Sequence, residues 1–103
     1  MSEKNTVVVY ASDNGRGPGR NARQPIRGSK LTTYEGGIRV PAIIRGPGVI
    51  KTGTVCEFPI ISMDYYPTIL DMVGVGDLPE QHVDGESLCP LFHGETTLSR
   101  DAI

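Results

Sequence analysis

The sequence predicts an α/β fold with few strands and one main helix, and three segments carry that reading. Thr6-Val7-Val8-Val9-Tyr10-Ala11 is a continuous, mostly β-branched run, the pattern of a strand buried on both faces, as in a parallel sheet. Ile38 to Arg45 holds Val40, Ile43 and Ile44 and reads as a second strand. Tyr66, Ile69, Leu70 and Val73 follow i, i+3, i+4, i+7 spacing, which predicts one apolar face of a helix over 64–73.

The elements follow in order. The strand over 6–11 ends at Ser12-Asp13-Asn14-Gly15, a polar turn. Ligands gather at the carboxyl ends of strands in open α/β sheets. Residues 12–37 are a long Gly/Arg-rich loop without apolar periodicity, and loops of that length are usually functional or disordered. A strand over 38–45 follows, then a short strand over 58–62. Asp64 is placed to cap the helix, Pro67 falls harmlessly in its first turn, and Gly74 stands just past its end. Residues 75–86 read as loop, and Ser87 to Phe92 as a short helical turn ended by Gly94.

The 103 residues contain 13 Gly and 8 Pro, about one residue in five against an average near one in eight. So many breakers exclude a bundle, a coiled coil and a solenoid. The net charge of −2 hides a split. Residues 1–51 carry nine Lys/Arg against three Asp/Glu, whereas residues 52–103 carry one Arg against nine Asp/Glu. Either the basic half meets an anion or the two halves pair with each other. Cys56 and Cys89 form no metal-ligand spacing. Two buried free thiols are expected, with a Cys56–Cys89 disulfide as the alternative. No apolar run approaches the roughly 20 residues needed to span a bilayer, and Met1 to Asn5 does not open a signal peptide. No membrane partner is expected.

Asp13 and Asn14 offer hard oxygen donors suited to Ca²⁺ or Mg²⁺. On the dipeptide alone, an Asx turn is the commoner outcome. Gly15-Arg16-Gly17-Pro18-Gly19-Arg20 is not a dinucleotide loop, because Arg20 stands where a third glycine belongs and no helix pattern follows. Lys30 beside a metal site would hold an anionic oxygen as a point charge; elsewhere it is a solvated surface lysine. Glu35 and Arg39 are spaced for an ion pair across Gly36-Gly37. His82 and His93 have no partners at useful spacing and read as structural or exposed.

Taken in order, Thr6 to Gly15, Arg27-Gly28-Ser29-Lys30, Tyr34 to Pro41, Asp64-x-x-Pro67-Thr68 and Asp84-Gly85-x-Ser87-Leu88-x-Pro90-Leu91 resemble the later part of the catalytic domain of sulfatases, in the alkaline phosphatase superfamily. The resemblance, closest to the arylsulfatase-like group, covers nearly the whole chain. It implies a piece of an α/β sandwich with a mixed sheet. It also implies that Asp13 and Asn14 help ligate an active-site Ca²⁺, that Lys30 contacts the sulfate group of a sulfate ester substrate, and that Glu35 and Arg39 support the loop bearing Lys30. Such enzymes use a formylglycine made within Cys/Ser-x-Pro-Ser/Thr-Arg. Neither Cys56-Glu57-Phe58-Pro59 nor Cys89-Pro90-Leu91-Phe92 matches, and the family's early Asp pair is missing.

The resemblance therefore implies part of a sulfuric ester hydrolase, inactive by itself, whose parent is periplasmic, secreted or lysosomal in type. A phosphodiesterase or phosphonate hydrolase of the same superfamily is the near alternative. A stand-alone anion-binding module is the distant one. Nucleic acid is disfavoured, because no aromatic side chain interrupts the basic stretch at 16–30. A sheet with so few strands leaves apolar edges, so self-association is expected.

Overall fold

The computed structural model describes residues 3–17, 26–76 and 79–100. The chain divides into two compact units, Met1–Gly46 and Pro47–Ile103.

The first unit opens with a 3-10 turn, Glu3–Asn5, followed by β1 (Val8–Ala11), α1 (Glu35–Ile38) and β2 (Ala42–Arg45). β1 and β2 pair antiparallel, with Val8 opposite Arg45 and Ala11 opposite Ala42. Arg45 also donates to the Glu3 carbonyl at 3.2 Å. The expected strand buried on both faces, as in a parallel sheet, is not what these residues form. β1 is shorter than 6–11, its partner runs antiparallel, and Val8, Val9 and Tyr10 are 47, 39 and 64% exposed. Two strands cannot cover either of their own faces, so β-branched residues follow the extended backbone without gaining burial.

The second expected strand also shrinks. Ile38 ends α1, and pairing begins only after Pro41. Proline has no N–H to give to a ladder. The long loop is therefore not devoid of regular structure: α1 takes up its last three residues.

In the second unit, residues 58–62 form no strand. Ser62 already belongs to a 3-10 turn, Ser62–Asp64, which runs into α2 (Tyr65–Met72). α3 (Cys89–Phe92) follows a turn-rich segment. Both helices stop by one chemical device. The Gly74 and Val75 N–H groups bond the Asp71 and Leu70 carbonyls, at 3.0 and 2.9 Å, and Gly94 and Glu95 bond Leu91 and Pro90 likewise, at 3.2 and 3.1 Å. Each is a Schellman closure, in which the residue after the cap turns left-handed. Gly74 and Gly94 have φ of +72° and +100°, a region that costs other residues steric strain.

The apolar stripe of α2 does not seek the interior. Tyr66, Ile69 and Val73 are 42, 48 and 65% exposed, whereas Asp64 and Thr68 are buried with Leu88. The helix turns its polar side toward residues 84–89. The Thr68 hydroxyl donates to the Asp64 carbonyl four residues back and accepts from the Leu88 N–H at 2.9 Å. Saturated polar partners outweigh the periodic pattern here, because a buried hydroxyl left unpaired costs more than an exposed aliphatic edge.

Asp64 corrects a second expectation. It precedes α2 but makes no cap for it. Its carboxylate accepts from the Ile61 N–H at 2.9 Å and the Glu86 N–H at 3.0 Å, and forms a two-pronged ion pair with Arg100. Burial pushes the Asp64 carboxyl up. The Arg100 guanidinium and the two backbone N–H groups outweigh that and hold it below the usual carboxylate range. Glu86 completes the cluster by accepting from Ser99 and the Arg100 N–H.

Candidate functional site

The end of β1 and the segment 26–39 build the site together, within the first unit. The Ser12 hydroxyl donates to the Asn14 carbonyl at 2.9 Å, a local hydroxyl turn that halts the strand. Asp13 is exposed and Asn14 half-buried. No hydrogen bond or ion pair occupies the Asp13 carboxylate among the described residues. Gly15 then enters the interior, where its N–H donates to the Gly37 carbonyl at 3.0 Å.

Next, the chain returns to the same place. The Lys30 N–H donates to the Arg16 carbonyl at 2.7 Å, and the Gly36 N–H to the Arg27 carbonyl at 2.7 Å. Lys30 is thus anchored by its backbone two residues beyond Asn14, while its side chain stays exposed. Such close backbone approach needs glycine. A Cβ on Gly37 would stand 2.1 Å from the Thr32 carbonyl oxygen, and one on Gly36 would stand 2.3 Å from that of Gly28. Both distances lie inside van der Waals contact, so the paired glycines exist here for space.

The Glu35–Arg39 ion pair is present one helical turn apart, with both side chains more than half exposed. Arg27 stacks on the Tyr34 ring, 3.9 Å from its centroid, and donates to its hydroxyl at 2.8 Å. A cavity of about 780 Å³ opens beside the loop, lined in part by Tyr10, Ser12, Asn14, Arg16 and Arg39. Asn14 is the one predicted ligand that lines it; Asp13 and Lys30 do not.

Asp13, Asn14, Lys30, Glu35 and Arg39 therefore share one loop framework. Arg20 and Arg23 of the basic stretch lie outside the described residues. The side-chain oxygens of Asp13 and Asn14 fit a hard divalent cation in donor type. They fall short of the about six to eight oxygens that Ca²⁺ takes. Among the described residues no three His, Cys, Asp or Glu gather as a metal cluster.

Sequence reasoning missed three features. The Ser29–Thr32 turn is closed from both ends, with the Thr32 hydroxyl donating to the Ser29 carbonyl at 2.7 Å and accepting from its N–H at 3.2 Å; the Ser-x-x-Thr spacing was the available signal. Arg100 has no local signal at all, since its partner lies 36 residues away. His82 is not partnerless, because it meets Asp84 at 2.7 Å on the surface. The expectation of two buried thiols is also corrected: both cysteines are free, but Cys56 is exposed and only Cys89 is half-buried. Among the described residues no helix is long and apolar enough to cross a membrane.

Comparison with known proteins bears on this arrangement. A sulfatase from Formosa agariphila is 37% identical over 102 residues, covering 95% of this chain and 18% of that protein. N-acetylglucosamine-6-sulfatase from Homo sapiens is 40% identical over 95 residues, covering 92% of the chain and 16% of its own length. Steryl-sulfatase from Rattus norvegicus is 38% identical over 99 residues, covering 87% and 17%. The chain spans less than a fifth of each of these relatives. The sulfatase family model matches residues 1–75, which hold the whole loop framework from Asp13 to Arg39, and with that match the chain belongs to the sulfatase family.

Proposed function

We propose that this chain supplies part of the active site of a sulfuric ester hydrolase. In this reading Asp13 and Asn14 hold a divalent cation, Ca²⁺ by family resemblance, and Lys30 contacts the sulfate group. The cation, when bound, would polarise sulfate oxygens and offset their charge. Lys30 adds a compact positive charge from a backbone-anchored position. Glu35 and Arg39 stiffen the turn beneath it.

The single observation that carries this reading is the Lys30 N–H bond to the Arg16 carbonyl. It draws a lysine 16 or 17 residues away to the turn that bears Asp13 and Asn14. The sulfatase relatives favour a sulfate ester over a phosphate ester. They also favour a catalytic-domain segment over a stand-alone anion-binding module.

No Cys/Ser-x-Pro-Ser/Thr-Arg motif occurs in the 103 residues, so the purified chain is expected not to hydrolyse an aryl sulfate. Inorganic sulfate is expected to shift the backbone resonances of Lys30 and its neighbours at millimolar concentration, and Lys30→Ala to remove that response. Turnover by the purified chain would overturn the expected inactivity, and an unchanged sulfate response in Lys30→Ala would refute the proposed role of Lys30. Calcium binding is expected to be weak with only two donors; micromolar affinity lost in Asp13→Ala would contradict that.

A further inference from the structure

Leu31 is the one residue other than glycine with a positive φ, +75°, among those described. It is also 94% exposed, the most exposed large apolar side chain among them. The left-handed region is sterically costly for a leucine. Full exposure returns nothing for that cost, since no apolar surface leaves water.

The surrounding turn enforces the conformation. The Thr32 N–H bonds the Ser29 carbonyl at 3.0 Å, which places Lys30 and Leu31 at the two central positions. A positive φ at the third residue is the type II geometry, where glycine is the ordinary occupant. The Thr32 hydroxyl clamps both ends of Ser29, and the Gly37 position packs against the same Thr32 carbonyl. Strain of this kind persists only where neighbours over-determine it, and such positions cluster at ligand clamps.

We propose that Leu31 is a specificity-determining residue, which packs against the apolar organic group of a sulfate ester whose sulfate is held by Lys30. The inference rests on the reading of Lys30 given above. Lys30 and Leu31 are adjacent and both side chains are exposed, so a ligand anchored at the Lys30 ammonium lies within reach of the Leu31 side chain. The pair would select esters of apolar alcohols, such as phenols, over esters of sugars.

The test uses the 103-residue chain, with backbone resonances of residues 29–33 followed during titration. The probes are inorganic sulfate, 4-nitrophenyl sulfate and glucose 6-sulfate. The aryl ester is expected to bind about three- to tenfold more tightly than the sugar ester, the gain from partly burying one leucine. Leu31→Gly and Leu31→Asn both accept the left-handed backbone, and both are expected to bring that ratio to about one. Leu31→Gly is also expected not to lower the thermal midpoint.

A preference that survives both substitutions, or equal binding of the two esters by the unaltered chain, would overturn the proposal. So would a lower midpoint in Leu31→Gly, which would make the side chain part of the fold. Lys30→Ala separates the two levels. If it removes the inorganic sulfate response while Leu31 proves indifferent, only the present inference fails. If it leaves that response intact, the Lys30 reading fails and this inference falls with it.

Discussion

The first unit is held by its backbone, the second by its side chains. Among the described residues of the first unit, those that are buried are Gly15, Gly36 and Gly46. Its loop is tied by main-chain bonds from Gly15, Lys30 and Gly36. In the second unit the buried residues are Asp64, Pro67, Thr68 and Leu88, and carboxylates or hydroxyls make the long-range ties. The difference has a functional sense. A loop closed by main-chain bonds leaves the side chains of Asp13 and Lys30 exposed, as the proposed ligand contacts require. In the second unit Asp64, Thr68 and Arg100 are committed to the fold instead.

The comparison breaks most visibly at Asp64. Replacing Arg100 with methionine would strand a fully buried carboxylate, and breaking one partner of a buried pair costs about 3–5 kcal/mol. Urea unfolding and faster hydrogen exchange at the Glu86 and Leu88 amides would report it. The same site sets the acid response. The Asp64 and Glu86 carboxyls are held below their ordinary values, so their contribution is complete above the unfolded carboxylate range, near pH 4. It is lost as pH falls through the lower folded values. In Asp64→Asn this acid-dependent part should shrink; an unchanged acid profile would contradict the assignment of the acid response to the Asp64 cluster.

A smaller effect tests the glycine framework. Gly37→Ala places a methyl group against the Thr32 carbonyl and should cost about 1–3 kcal/mol, as overpacking does. The displaced Lys30 turn should show in its amide shifts. A neutral result would mean that the close approach is not needed. Thr68→Val should cost about 1–3 kcal/mol, because the Leu88 N–H is left unsatisfied in the interior; thermal unfolding reads this. Arg39→Ala should have the least effect, about 0.5 kcal/mol or less, because the pair with Glu35 is exposed. A loss above 1 kcal/mol would assign that pair a larger part in the loop.

Local chemistry was readable in the residues. The stop of each helix follows from a glycine one position past the cap, and the Glu35–Arg39 pair follows from i, i+4 spacing. The order of five motifs from Thr6 to Leu91 was enough to resemble the sulfatase family, to which the chain belongs. Three of the corrected expectations share one kind of reason. A β-branched run says that a strand forms, but not which partner it takes or what covers it. An i, i+3, i+4, i+7 stripe says which side of a helix is apolar, but not that this side faces inward. A cysteine's apolar character does not say that its thiol is buried.

Sequence alone determined the elements that one or two turns of chain can specify: β1, the cores of α2 and α3, their glycine stops and the oxygen donors after the first strand. Tertiary structure decided the rest. It set the antiparallel register, the inward turn of the polar side of α2, the Asp64–Arg100 pair and the approach of Lys30 to the Asp13 turn. The physical reason is reach. Dihedral preferences, caps and turn chemistry act within about four residues. A buried carboxylate or an unpaired N–H accepts whichever partner the folded chain brings within 3 Å, at any separation along the sequence.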